Sequence, residues 1–405
     1  MPATTPAQIT LSFSRSAGLV AIAHGEQYLW AQTALTHTGF LRRDDGTYAV
    51  ALDDVRLRHG LAASLVRSAH QHQAAVTTSH RPYIGDVADA IAAYLPGAWN
   101  TTVEVYSHPL WQEDLVPLLW DAGELTHAIQ HERVPYAAVL KDGAGTELLL
   151  VERPGHQSDY LVGAFASEAF DDNFADPHSP ISIAITAAPQ QAARAINDRF
   201  LPAYHRALHA RRVEAISSAL ERIDEEHATL EAMRDSGRYS DGVPLTAPAE
   251  QLAVFEDQFA DRAWLAFVDV LTHAPSVLEQ CSRSTALSTE DEAVLAELHE
   301  VLRSTQPARD EWNAQTAKSY ARPPRKFFHE RWGGLRARLG AQVMPAIATW
   351  VTEADAFARI ARAATPGGQM ALAAPAPWPA PSGPCPPLQP RQPLRAVDLR
   401  HHRHC

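Results

Sequence analysis

Cysteine is scarce, with three residues in 405, so no disulfide framework can be assembled and the chain suits a reducing compartment. Long hydrophobic runs are missing too. The longest, such as residues 115–120, fall far short of the roughly 20 residues that cross a bilayer. Residues 1–18 carry no basic stretch followed by an apolar one, the pattern of a secretory leader. A soluble, cytoplasmic protein that does not engage membranes is the expectation. The familiar catalytic and nucleotide-binding signatures are absent as well. No GxGxxG, GxxxxGK[ST], HExxH, GxSxG or CxxC occurs. Dinucleotide and P-loop folds, zincins, hydrolase elbows and zinc ribbons therefore lack their usual support, and no cofactor is expected.

What remains is globular. The chain is 46% hydrophobic, with 47 acids against 35 bases and a formal charge of −12. That apolar content rules out wholesale disorder. The acidity excludes a coat of nucleic acid or anionic lipid over the whole surface. Single cores rarely exceed about 250–300 residues, so the length predicts two or three domains.

The order of signals predicts an α+β fold: an N-terminal mixed α/β region with antiparallel hairpins, an all-α helical bundle, and a disordered Pro-rich tail. Ile9, Leu11 and Phe13 alternate with polar residues, as in a half-buried strand, and Asp44-Asp45-Gly46 marks a hairpin turn. With a strand at 18–23 and helices at 26–38 and 55–72, this makes a small α+β unit over 1–80. A second α+β unit with an antiparallel sheet is expected over 81–210, including a hairpin through Asp142-Gly143-Ala144-Gly145 and a strand with Ile181, Ile183 and Ile185 on one face. A helix from Pro189 closes it, kinked or restarted at Pro202. Beyond 210 strand signals vanish. Stripes such as Leu252, Phe255, Phe259, Ala263 and Phe267, the cap at Ser288-Thr289-Glu290-Asp291, and a last helix through Val343, Ile347, Trp350, Ala354 and Phe357 predict a helical domain over 211–365. Residues 366–405 hold ten prolines and cannot bury a core. Pro381, Pro384, Pro387, Pro390 and Pro393 recur every third residue, the period of a polyproline II helix.

Three chemistries suggest themselves. Glu104, Tyr106 and His108 alternate along one strand, so a carboxylate, a phenol and an imidazole share a face. They form either an acid–base set or an ordinary solvated face. His127 with His131, and His205 with His209, stand at i, i+4, side by side on a helix as metal binding requires, yet neither pair has an evident third ligand. The loop of Asp171, Asp172 and Asn173 with Asp176 and His178 offers oxygens to a hard cation without the spacing of an EF-hand.

Charge is unevenly placed. Residues 211–321 carry 21 acids and 10 bases, whereas 322–365 carry eight bases and three acids. Within the latter, Arg322, Arg325, Lys326, Arg331, Arg336 and Arg338 are interleaved with Phe327, Phe328 and Trp332. Arginine contacts phosphate and aromatics stack on bases, which makes this the best nucleic-acid candidate. The alternative is that the aromatics anchor a core while the arginines pair with the acidic helices before them. In the tail, Pro390-Arg391-Gln392-Pro393-Leu394-Arg395 fits PxxPxR, a ligand pattern for aromatic grooves. His401, His402, His404 and Cys405 end the chain with soft ligands.

Only three lysines accompany 32 arginines, and alanine is abundant, as in high-GC genomes. With the stretches Trp111-Gln112-Glu113-Asp114-Leu115-Val116-Pro117 and Phe170-Asp171-Asp172-Asn173, the chain resembles uncharacterised actinobacterial proteins. The unit of helix, Gly39-Phe40 and hairpin through Asp45-Gly46-Thr47-Tyr48 resembles small modules appended to DNA-handling proteins over about 60 residues. Tyr48 stands where such hairpins often carry tryptophan. Neither resemblance implies an activity or a set of site residues. The expectation is a non-enzymatic binding or adaptor protein whose partner is nucleic acid or a protein. The alternative is an enzyme of unrecognised class with its site in the N-terminal half.

Overall fold

Alternating polarity and turn residues in the N-terminal half give two β-sheets, and long helices follow in the C-terminal half, so the fold is α+β. The computed structural model describes residues 6–51, 55–167, 170, 176–284, 287–320 and 328–365; within these, the side chains of 55–59, 319–320 and 328–333 are not described. The described residues all belong to one compact unit. The tail motifs PxxPxR and His401–Cys405 lie outside them.

The first sheet begins with the hairpin of β1 (Ala7–Ser14) and β2 (Gly18–His24). Helix α1 (Tyr28–His37) leads to a second hairpin, β3 (Leu41–Arg42) and β4 (Tyr48–Val50), then to α2 (Val55–Gln71) and β5 (Ala74–Pro82). The order is β3-β4-β2-β1-β5, with β5 parallel to β1. The expected turn is present: Gly46 has φ +79°, which costs a residue without Cβ nothing, and Asp45 accepts the Thr47 N–H at 3.0 Å. On one face Ile9, Ala21 and Leu11 pack under Ala31, Leu35 and Leu65 of the two helices. On the other, Val20 and Ile22 join the core of the second sheet.

Helix α3 (Ile84–Ala92) precedes β6 (Asn100–Val105), the short α4 (Pro109–Glu113), β7 (Leu119–Trp120), α5 (Glu124–His131), β8 (Tyr136–Lys141), β9 (Glu147–Glu152), β10 (Asp159–Phe165) and β11 (Ile183–Thr186). This sheet is antiparallel, ordered β11-β10-β9-β8-β6, with β7 on β10. Tyr136, Ala138, Leu150, Tyr160 and Val162 face the core shared with α3. Ala137, Val139, Leu149, Val151 and Leu161 face Leu125, Ala128 and Ile129 of α5. Burial on both faces is why these strands read as continuous apolar runs. The isoleucine stripe holds only in part: Ile185 is buried, but Ile181 precedes the strand and is exposed.

Helix α6 (Pro189–Ala195), a π-helical turn (Ile196–Phe200) and α7 (Leu201–Ser236) follow one another without a break. Pro202 has no N–H to give residue 198, and its ring crowds that carbonyl; after the widened turn α7 starts beside it at Leu201, the restart that was one of the two expected outcomes. Residue 210 therefore lies inside α7. Helices α8 (Pro248–Ser282), α9 (Thr289–Tyr320), α10 (Phe328–Thr352) and α11 (Ala354–Ala363) complete the helical part around Ile216, Trp264, Phe267, Leu298, Ile347 and Trp350. The predicted cap forms a reciprocal box at α9: the Asp291 N–H donates to Ser288 Oγ at 3.1 Å, and the Ser288 N–H to the Asp291 carboxylate at 3.2 Å. The last predicted helix is instead two, interrupted at Glu353, with Trp350 and Phe357 edge-to-face at 5.3 Å across the interruption.

Candidate functional site

The side chains left exposed at α1 and α4 form a belt of aromatic, imidazole and leucine groups. Tyr28, Leu29 and Trp30 open α1, and successive helical residues point about 100° apart. Tyr28 meets Trp111 at 5.3 Å and His108 at 6.4 Å between ring centroids. Trp30 stacks on His72 at 6.1 Å, and His72 meets His37 at 5.2 Å. Leu29 is 61% exposed, Leu110 58%, Trp30 53% and Trp111 45%. Helix α1, from Tyr28 to His37, contains no Asp, Glu, Lys or Arg.

A polar framework fixes this surface from beneath. The Gly25 N–H donates to the Ser107 carbonyl at 2.9 Å, joining the start of α1 to the α4 segment. Arg133 donates to Ser107 O at 3.2 Å, to Tyr106 O, and to Gln112 Oε1 at 2.8 Å. Burial lowers the Arg133 guanidinium pKa to about 10. Gln112 in turn donates to Ile129 O at 2.7 Å and Glu132 O at 2.6 Å. Nearby, buried His24 bonds to Thr10 Oγ1 at 2.9 Å; burial, then the Arg133 charge, pushes its pKa down to about 4.

The alternation that placed Glu104 and Tyr106 opposite Val103 and Val105 is present, but the trio does not converge. The hydroxyl of buried Tyr106 donates to Glu104 Oε2 at 2.7 Å in a partly buried hydrogen bond. His108 turns away: its Nδ1 accepts the Leu110 N–H at 3.2 Å, capping α4, and its ring joins the belt.

Two buried ionic clusters escaped sequence reasoning. Tyr136, Glu152 and Tyr160 lie abreast on β8, β9 and β10, and Arg81 reaches them from β5. Glu152 accepts from Tyr136 Oη at 2.8 Å and Arg81 at 2.9 Å, while Arg81 also donates to the carbonyls of Arg153, His156 and Gln157. Burial and the Glu152 charge raise both phenols, Tyr160 to about 12, so they stay protonated. In the second cluster, Asp176 accepts from Trp120 Nε1 and pairs with Arg211 of α7, each at 2.8 Å, with side chains only 7% and 11% exposed. The Arg211 guanidinium lies 3.9 Å from the Phe170 ring centre, and Phe170 stacks on His273 of α8 at 5.0 Å. Burial, then Arg212 and Arg211, pushes His273 down to about 4. Each cluster ties segments far apart in sequence, and no local spacing announces such a pair.

The remaining candidates are placed as follows. The rings of His127 and His131 meet at 4.4 Å between centroids, tilted by 53°. His205 lies against Tyr204, while buried His209 bonds to the Ala361 carbonyl at 2.8 Å, joining α7 to α11. Burial lowers the pKa of both. Among the described residues no group of three potential ligands is arranged for a metal ion. Asp171, Asp172 and Asn173 lie outside the described residues; Asp176 holds Arg211, and its Oδ1 accepts the His178 N–H at 2.8 Å. Arg322, Arg325, Lys326 and Phe327 also lie outside them, as do the side chains of Phe328, Arg331 and Trp332 at the start of α10. Arg336 forks onto Asp261 of α8 at 2.5 and 3.3 Å, and Arg338 pairs with Glu311 of α9.

Comparison of the chain with family models, with curated proteins and with solved structures returns no match.

Proposed function

We propose that this chain is a cytoplasmic binding or adaptor protein, and that it contacts nucleic acid through the segment 322–332. The observation that carries the reading is how the arginines of this region divide. Arg336 and Arg338 are engaged by Asp261 and Glu311, so they fasten α10 to the acidic helices. The phosphate-contacting set is thereby reduced to Arg322, Arg325, Lys326 and Arg331, with Trp332 as the stacking surface. A binding role over a catalytic one is supported by Glu104, Tyr106 and His108, of which the first two share a partly buried hydrogen bond and the third caps a helix through Nδ1. In the N-terminal half, the Glu152 and Asp176 carboxylates are likewise held by arginines that join elements.

The test is fluorescence anisotropy of a labelled 20-nucleotide single strand, titrated with the full chain across a salt series. Each phosphate contact contributes about −0.7 to the slope of log K against log salt for single strands, so four cations give about −3. Arg322→Ala and Arg325→Ala should each flatten the slope by about 0.7, and Arg338→Ala should leave it unchanged. Absence of binding, or binding indifferent to salt, refutes the nucleic-acid assignment.

A further inference from the structure

The long edge of the first sheet has no role in that reading. We infer that β5 takes up an extended, acidic segment of another protein as a sixth strand, paired antiparallel along residues 74–80.

A sheet edge carries unpaired backbone groups, and natural edges are kept short, charged or proline-bearing where nothing covers them. Three of the four edges follow that pattern: β3 has two residues, β11 has four, and the six of β6 include Glu104. Strand β5 has nine, and Ala74–His80 hold no Lys, Arg, Asp, Glu or Pro. Pro82 comes only at the end, and the Arg81 guanidinium is turned back onto Glu152 at 2.9 Å. Among the described residues β1 is the one strand that pairs with β5. In a strand, alternate residues direct N–H and C=O to the same side, so about three residues of this run offer both groups to an incoming backbone. Val76, Thr77 and Thr78 are β-branched, which suits cross-strand packing.

The helix above β5 fixes where the side chains of an added strand would go. Helix α1 lies chiefly over β1 and β2, and α2 over β5. The Ser68 hydroxyl donates to the Ala34 carbonyl at 3.3 Å, which marks the side of α2 that faces α1. At about 100° per residue, Leu65 and Ala69 stand about 60° and 100° round from Ser68, and Ala62 and Val66 about 120° and 160°. Leu65 and Ala69 are buried in the core of this sheet. Ala62 and Val66 therefore overhang the space beyond β5, where Val66 is 57% exposed. Ala74 and Val76 face the same helix from below. A strand laid beside β5 sets an aliphatic side chain next to Val76 and under Val66.

Charge selects the occupant. Residues 55–85 contain four arginines and no Asp or Glu, in a chain of net −12. Exposed Arg67 and His70 border the overhang and exposed His80 stands on the strand; none forms an ion pair among the described residues. The carboxylates at the far end of β5 are engaged, Glu152 by Arg81, and Asp86 by the Arg15 N–H at 2.6 Å and Ser14 Oγ at 2.9 Å. Acids flanking the aliphatic residue of the added strand would meet Arg67, His70 and His80 with opposite charge. A second copy paired through β5 would instead set this acid-free stretch against itself and double its charge.

The test uses the full chain and a labelled eight-residue peptide, Val and Thr alternating at its centre with two acids at each end. Anisotropy should saturate below about 200 μM. Amides at 74–80 should exchange at least about fivefold more slowly in the complex, with those of β3 unchanged. Val66→Glu, at an exposed helical site, should weaken binding at least about tenfold, and Arg67→Glu about threefold, each with unchanged circular dichroism. Tyr94→Glu, exposed and away from β5, should have no effect. The peptide N-methylated on every central amide should not bind, and one with lysines in place of the acids should bind at least about tenfold more weakly. Absence of binding, equal binding of the methylated peptide, or protection outside 74–80 overturns the inference. So does a chain that dimerises in sedimentation and is dissociated by Val66→Glu, since the occupant is then a second copy. Displacement of the peptide by single-stranded nucleic acid also overturns it, because nucleic acid has no backbone to pair with a strand.

Discussion

Replacing Asp176 by alanine should loosen the junction between the second sheet and the long helices more than any other single removal of a carboxylate. The Asp176 side chain is 7% exposed and meets Trp120 of β7 and Arg211 of α7. Its loss leaves the guanidinium buried without that counter-charge, which costs about 3–5 kcal/mol. It also strips the Trp120 Nε1–H of its acceptor, worth about another 1 kcal/mol. Asp176→Asn keeps an acceptor for the indole and should fall between wild type and alanine. Arg211→Met preserves much of the contact with the Phe170 ring while removing the charge. The double variant Asp176→Ala/Arg211→Met should therefore cost at least 2 kcal/mol less than the sum of the single changes. Native-state hydrogen exchange reads this locally, without assuming that so long a chain unfolds in one step. Amides at 119–122 and 204–215 should exchange about 10³–10⁴ times faster in Asp176→Ala, since each 1.4 kcal/mol is a factor of ten. A change under tenfold, or strict additivity in the double variant, would show that the cluster does not hold the junction.

Two further outcomes follow from burial. His24 and His273, both nearly inaccessible, have pKa values near 4 against 6.5 in the unfolded chain, so between those values the unfolded state binds more protons. Stability present above pH 6.5 is then lost as pH falls towards 4, up to about 3 kcal/mol for each. His273→Gln should lose less of its urea midpoint between pH 7 and pH 4.5 than wild type does; parallel curves would refute the assignment. Gly340 lies where α10 crosses α8, and a Cβ there would stand 2.7 Å from the Ala260 carbonyl carbon. Gly340→Ala should cost about 3 kcal/mol by forcing those helices apart, visible as a lowered urea midpoint, and a neutral substitution would contradict the close crossing.

Local signals were legible where the chain's own neighbours decide the conformation. The Asp45-Gly46 turn, the hairpin of β8 and β9, the Ser288–Asp291 box and the stripe through Phe259, Ala263 and Phe267 could all be read directly. Signals failed where a distant partner decides. Nothing near Ala74 reveals that β5 lies parallel to β1, because that pairing needs the crossover through α1 and α2. Pro275, Pro307 and Pro345 sit inside α8, α9 and α10, since tertiary packing outweighs the lost hydrogen bond. His108 followed the strand period in sequence, yet the strand ends at Val105 and the imidazole caps the next helix. Asp176 stood in an acidic loop that suggested a cation; its cation is Arg211, 35 positions away. The belt did leave a trace, a ten-residue helix with three large side chains at its start and no charge.

The charge boundary near residue 322 takes on a different meaning once its partners are known. Of the eight bases in 322–365, Arg336, Arg338 and Arg359 return to Asp261, Glu311 and Asp291 on the preceding acidic helices. The Arg359 guanidinium, through its hydrogen bond, holds the Asp291 carboxyl below the usual carboxylate range. Part of the sequence asymmetry is therefore a folding pattern: an acidic stretch closed by the basic helices that follow it. Of these, the half-exposed Arg338–Glu311 pair contributes only about 0–1 kcal/mol, so it selects which helices meet more than it stabilises the meeting. Neutralising one should change register and salt sensitivity before it changes the urea midpoint. Arg338→Ala, whose pair is half exposed, should cost under about 1 kcal/mol and leave nucleic-acid affinity intact. A large loss of affinity in that variant, with stability unchanged, would move Arg338 from the closing set to the binding set and raise the expected salt slope accordingly.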